Sequence, residues 1–245
     1  MQTIHQDSEA RVYIRPGFDW DRQSAYLFDI DGTLLRSRDR VHFESIPAGV
    51  LHVTGHSITL DGVAVHGSTD TAILREACEK AGIPSEVLEP QVAAILEAMC
   101  RHVTDRRHEL QPYLMPGVHE VLHHLARRGA ILGVATGNLE AIGWIKLEKA
   151  GLREWFRFGG FSDHAPVRAR LIERAARKAQ MLGADMAGVC VVGDTPRDIE
   201  AARANSLPVI AVATGNFSFA ELMHHEPTAC ASSLADLLAA EENTP

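Results

Sequence analysis

From residue 116 onward the chain alternates short, unbroken apolar runs with stretches that carry apolar residues at helical spacing. The runs are Ile131–Thr136, Gly188–Gly193 and Pro208–Val212, with a shorter one inside Phe156–Phe161. Between them, Val118, Val121, Leu122 and Leu125 mark one helix. Leu139 to Ala150, stopped at Gly151, marks a second, Leu171 to Leu182 a third and Ile199 to Ala204 a fourth; a last helix begins at Leu234. Runs that are apolar throughout suit strands covered on both faces, and strands joined through helices build a parallel sheet with right-handed crossovers. An earlier run, Ala25 to Ile30, belongs to the same pattern. The expected fold is therefore α/β, a doubly wound parallel sheet whose ligands sit beyond the carboxyl ends of the strands.

Three of these runs end in polar clusters: Asp29-Ile30-Asp31-Gly32-Thr33, Thr136-Gly137-Asn138, and Gly193-Asp194-Thr195-Pro196-Arg197-Asp198. A single such cluster reads equally well as turn chemistry, although a five-residue DxDGT match has a chance expectation of only about 10⁻³ in a chain of this length. All three in order, each on a strand end, converge on one crevice. Four carboxylates there (Asp29, Asp31, Asp194, Asp198) repel one another unless a cation neutralises them. The donors are oxygens with no His or Cys among them, which selects Mg²⁺ over zinc. Thr136 and the N–H groups of Gly137 and Asn138 stand where a strand turns into a helix, a ready anion site. Carboxylates, a metal and an anion cradle together point to phosphoryl chemistry.

The span from about Leu35 to Leu114 has a different texture. Residues 57–65 hold two short runs around Asp61-Gly62 and predict a β-hairpin. Ser68-Thr69-Asp70 offers a helix cap, followed by Ile73, Leu74, Ala77 and Cys78, with Gly82 closing the helix. A second helix is expected from Glu89 to about Val103, with Val92, Ile95, Leu96 and Met99 on one face. Residues 1–24 read as a polar leader with no secretory signal.

Composition narrows the partners. Of 245 residues, 46% are apolar and 23% charged, as in a globular chain. A net charge of −8 argues against nucleic acid and anionic membranes, and no apolar run has the ~18 residues of a membrane span. The cysteines (Cys78, Cys100, Cys190, Cys230) are widely spaced, as expected of reduced thiols in a cytoplasmic protein. His119, His123 and His124 lack an HExxH context and read as a solvated helix face.

The three clusters resemble the motifs of the haloacid dehalogenase superfamily: its DxDGT at Asp29 to Thr33, its strand-end Thr at Thr136, and its GDxxxD at Gly193-Asp194 with Asp198. The resemblance covers most of the chain. It implies a Rossmann-like core of residues 1–35 and 115–245, interrupted by a mainly helical cap domain of residues 36–114. The family's third motif is usually a Lys; residues 161–171 hold none, so Arg168 is the expected counterpart and Arg170 the alternative. The resemblance further implies Asp29 as nucleophile and Asp31 as general acid/base. Mg²⁺ would be held by the Asp29 carboxylate, the Asp31 backbone carbonyl and Asp194, with Asp198 orienting them. Thr136, Gly137, Asn138 and Arg168 would bind phosphate. Dehalogenases lack the second Asp, and phosphonatases replace it and add a cap Lys. Here Asp31 is present, and Lys80 is the only Lys of the cap. Hydrolysis of a small phosphorylated metabolite, phosphoglycolate-like or a sugar phosphate, is the expected reaction. A phosphomutase and a non-catalytic module binding a phosphorylated ligand are the alternatives. Arg36, Arg38, His42 and Thr69 are candidates for substrate specificity.

Overall fold

The computed structural model describes residues 11–163 and 165–242; the first ten residues of the leader lie outside this range. Seven strands form the main sheet: β1 (Val12–Ile14), β2 (Ala25–Phe28), β5 (Ile131–Ala135), β6 (Gly159–Gly160), β7 (Val189–Gly193), β8 (Val209–Val212) and β9 (Ala229–Ala231). A separate two-stranded ribbon holds β3 (Leu35–Ser37) and β4 (Pro112–Leu114). Helices α1 (Val41–Thr54), α2 (Asp70–Lys80), α3 (Ser85–Leu88) and α4 (Val92–Asp105) lie between β3 and β4. Helices α5 (Val118–Arg127), α6 (Glu140–Lys149), α7 (Arg168–Met181), α8 (Pro196–Ala204), α9 (Phe219–Met223) and α10 (Leu234–Glu242) belong to the sheet. The sheet order is β1-β9-β8-β7-β2-β5-β6. All pairs are parallel except β1 with β9, so the described part of the leader supplies an antiparallel edge strand.

Alternation along β2 fixes the two cores. Tyr26 and Phe28 face α5, α6 and α10, where Leu122, Leu125, Leu147 and Leu237 close over them. Ala25 and Leu27 face α7 and α8, against Leu171, Ile172, Ile199 and Ala202. With both faces covered, β2 is wholly buried at the middle of the sheet. This is the doubly wound α/β architecture expected from the sequence, with a mainly helical insertion.

The insertion has its own core. Ile46 and Val50 of α1 pack with Leu74 of α2 and with Ile95, Met99 and Val103 of α4. Leu139 and Ile142, at the start of α6, join the same cluster, so the insertion rests on the sheet's own helix. Gly49 allows α1 and α4 to approach: a Cβ there would lie 2.9 Å from Met99 Cγ. Two local expectations change. Residues 57–65 form no hairpin; Ile58, Leu60 and Val63 turn into the helical core as an irregular loop, and Lys80 Nζ donates to the Gly62 carbonyl. The segment buries three apolar side chains against helices, which a two-stranded hairpin of this length cannot match in isolation. Second, His124 is not solvated. Its Nε2 bonds Asp21 Oδ2 at 2.8 Å and its ring stacks on Trp20, tying the leader to α5.

Candidate active site

The central strands deliver the polar clusters to one place. Phe28 of β2 is in register with Val134 of β5 and Val192 of β7, so Asp29, Thr136 and Asp194 leave neighbouring strand tips. The Asp29 N–H donates to the Val192 carbonyl at 2.8 Å, extending the ladder by one residue. The chain then turns at Gly32 (φ +90°), where a Cβ would run into the Asp194 carboxylate. The turn lets Thr33 Oγ1 donate to Asp194 Oδ1 at 3.1 Å.

Asp29, Asp194 and Asp198 are buried, and each offers an oxygen within 4.8 Å of the others. Asp198 stands in the first turn of α8. Its Oδ2 accepts from the Thr195 N–H (3.1 Å) and hydroxyl (2.6 Å), half of a capping box. Arg168 is the first residue of α7 and only 8% exposed. Its Nε and Nη2 donate to Asp198 Oδ1 at 2.9 and 2.6 Å, and Nη2 also reaches Asp29 Oδ2 at 2.9 Å. Arg170 points away, 73% exposed and paired with Glu173. Burial pushes Asp29 up to about 6 against the pull of Arg168, and the charges of Asp198 and Asp31 add to the rise. Burial, then Asp29 and Asp198, raise Asp194 well above the usual carboxylate range. Three buried carboxylates share one guanidinium, so negative charge is left over. An all-oxygen donor set with that surplus fits a hard divalent cation.

Asp31 does not join the cluster, and the expected four-carboxylate arrangement is reduced to three. Its carboxylate, 45% exposed to the cleft, turns toward α6. Lys146 Nζ donates to both of its oxygens, at 2.8 and 2.7 Å, and Asn138 Nδ2 donates to Oδ2 at 2.8 Å. Its surroundings in the cleft push Asp31 up, but Lys146, His42 and Asn138 outweigh them and hold it below its ordinary value. Lys146 is 3% exposed and also donates to Asn138 Oδ1 at 2.8 Å. Sequence reasoning missed it. The available signal was a lysine one turn after Ile142, in phase with the buried face of α6.

Thr136 and Asn138 are linked: Asn138 Nδ2 donates to Thr136 Oγ1 at 2.7 Å. Gly137 lies directly under the insertion, where a Cβ would run into the Ser68 carbonyl oxygen. Segment 66–70 is stitched to the site loops. Asp70 N donates to Gly137 O (2.8 Å), Thr69 Oγ1 to Pro166 O (2.6 Å) and Arg168 Nη1 to Gly67 O (3.0 Å). Asp70 Oδ2 accepts from the Leu139 N–H that opens α6 and bonds His42 Nε2 at 3.0 Å. Between sheet and insertion lies a cavity of about 380 Å³ that includes Asp29, Asp31, Thr136, Asn138, Arg168 and Asp194. Arg36 and His42 line it, whereas Arg38 stacks on Tyr113 and Thr69 is buried in the stitched segment.

The family model of haloacid dehalogenase-like hydrolases matches residues 26–212. A phosphoglycolate phosphatase from Synechococcus elongatus is 31% identical over 195 residues, covering 78% of this chain and 84% of its own. One from Agrobacterium fabrum is 29% identical over 196 residues, 77% and 80% of the two chains. Among solved structures, a predicted phosphatase from Clostridium acetobutylicum superposes with a TM-score of 0.68 at 21% identity, over 91% of this chain and 99% of its own.

Proposed function

The chain belongs to the haloacid dehalogenase-like hydrolases, and on that footing we propose that it hydrolyses a small phosphorylated metabolite through an aspartyl-phosphate on Asp29. The observation that carries this reading is the convergence of Arg168, Asp194 and Asp198 on Asp29 at the tip of the central strand. An Asp29 oxygen attacks phosphorus and the ester oxygen leaves, taking a proton from Asp31. Asp31 then takes a proton from the water that opens the aspartyl-phosphate. Thr136, the Gly137 and Asn138 N–H groups and Arg168 hold the non-reacting oxygens.

Asp29, Asp194 and the Asp31 backbone carbonyl would hold Mg²⁺, with Asp198 behind them; the ion supplies positive charge to the carboxylates and to the phosphoryl oxygens when bound. Arg168 in turn holds Asp198 and Asp29 in register. We read residues 36–114 as a cap domain on a core of residues 1–35 and 115–245; the insertion's separate core and its seat over the cleft support this. The four cysteines stand as free thiols, which supports a reducing compartment, the cytoplasm. Among the described residues no helix is long and apolar enough to cross a membrane.

The test is phosphate release from a panel of phosphomonoesters, with Mg²⁺ and with chelator, for wild type and Asp29→Asn. Metal-dependent release that disappears in the variant supports the reading. Isomerisation of a sugar phosphate without release would replace it with a phosphomutase. Wild-type rates in Asp29→Asn would remove the nucleophile.

A further inference from the structure

The cavity above Asp29 has two unlike halves. Its floor is polar, and its two cations stand with the carboxylates of the reacting end: Arg168 against Asp29 and Asp198, Lys146 against Asp31. The insertion side carries an apolar stretch, Phe43 and Ile46 of α1, Leu60 and Val65 of the irregular loop, and Ile73 of α2, beside the polar His42, Ser68 and Asp70. Ile46, Leu60 and Ile73 are buried members of the insertion's core, so this wall is fixed by packing. A sugar carries a hydroxyl on nearly every carbon, and those pressed on these apolar side chains are left unpaired.

At the edge of the same cavity stand Arg36, His66 and Asn216. Arg36 Nη2 donates to Asn216 Oδ1 at 3.0 Å, and Asn216 Nδ2 approaches the His66 ring at 2.8 Å. Among the described residues Arg36 has no ion pair. Of the insertion's two acids that line the cavity, Asp39 accepts from the backbone N–H groups of Val41 and Gln111, and Asp70 is bonded to His42 and the Leu139 N–H. Arg36 is thus a guanidinium in the cavity whose partner is a neutral amide, and a planar fork of this kind selects carboxylate or phosphate oxygens. The three elements that meet here are distinct: β3, the insertion loop and the loop after β8.

Resting on the phosphatase reading, we propose that the alcohol half of the substrate is an apolar body, alkyl or aryl, ending in a second anionic group that Arg36 binds. The cavity volume, at ~30 Å³ per water-sized unit, has room for about a dozen such units. The phosphoryl group, the ion and the alcohol half share that room.

The test compares kcat/KM, with Mg²⁺, for phenyl phosphate, carboxyphenyl phosphate, phosphonomethylphenyl phosphate, phosphoglycolate and glucose 6-phosphate. The carboxylated or phosphonate-bearing aryl ester is expected to lead every other by tenfold or more; which of the two leads identifies the anion. In Arg36→Ala the ratio of charged to uncharged aryl ester should fall to about one. A tenfold lead for glucose 6-phosphate or phosphoglycolate, or a ratio unchanged in Arg36→Ala, overturns the proposal while leaving the phosphatase intact. Calorimetric binding of the same esters to Mg²⁺-loaded Asp29→Asn reads the ranking without turnover. The expected ranking there, with no release by wild type, would overturn hydrolysis and keep the binding preference.

Discussion

Replacing Asp29 by Asn should make the metal-free protein more stable at neutral pH. Burial and the neighbouring carboxylates lift this acid from 3.8 to about 6 in the fold despite its contact with Arg168. An acid whose folded value lies above its unfolded one binds more protons in the native state. Its contribution is therefore fully favourable below pH 4, and stability declines as the pH rises from about 4 to about 6. At ~1.4 kcal/mol per decade, the ionised carboxylate costs the fold about 3 kcal/mol at pH 7. Asn has the shape of the neutral acid and removes that cost, while Arg168 keeps both bonds to Asp198. In a chain of this size about 3 kcal/mol corresponds to roughly 6–12 °C in Tm. Thermal melts in chelator from pH 4 to pH 8 should show wild type and variant together at the acid end and diverging toward neutrality. Added Mg²⁺ should then raise wild type more than the variant, since only wild type keeps the full carboxylate set. A variant that melts at or below wild type at pH 7 in chelator would refute the reasoning.

Lys146→Met should leave the fold intact, because the Asp31 carboxylate it frees is 45% exposed and can take water, but should lower kcat by about 10–100-fold; steady-state kinetics equal to wild type would end its positioning role. Arg168→Ala leaves Asp198 and Asp29 buried without their shared counter-charge, so denaturant unfolding without metal should lose about 3–5 kcal/mol. Gly137→Ala forces Ser68 and segment 66–70 away from the site loops, and should depress kcat/KM while the Tm of the sheet domain changes little.

What was legible in the sequence was the sheet and its strand ends, because buried parallel strands are written as local apolar runs and each functional tip follows its run directly. Asp29, Thr136 and Asp194 could be placed for that reason. The resemblance puts Arg168 first and Arg170 second, and packing turns Arg168 inward to Asp29 while Arg170 stays on the surface. Lys146 left only its helical phase as a signal: it stands eight residues beyond Asn138, and its pairing with Asp31 spans 115 positions. Helix α1 was also unanticipated, since Pro47 lies inside it and breaks the local signal, while packing against α4 holds it together. Strands β1 and β9, the edge strand and its neighbour, are three residues long, too short to show a period.

The β3–β4 ribbon carries a consequence of another kind. The chain leaves the sheet for the insertion and comes back through two strands paired at Leu35–Leu114, Arg36–Tyr113 and Ser37–Pro112. Departure and return share one narrow doorway, so the order of strands inside is indifferent to how much chain lies beyond it. Exchange of everything between Arg38 and Gln111 for a different module, or for a tight turn, would preserve every sheet pairing. What would need refitting is local: the bared faces of Leu139 and Ile142 on α6, and the bonds that Gly137, Leu139, Pro166 and Arg168 make to segment 67–70.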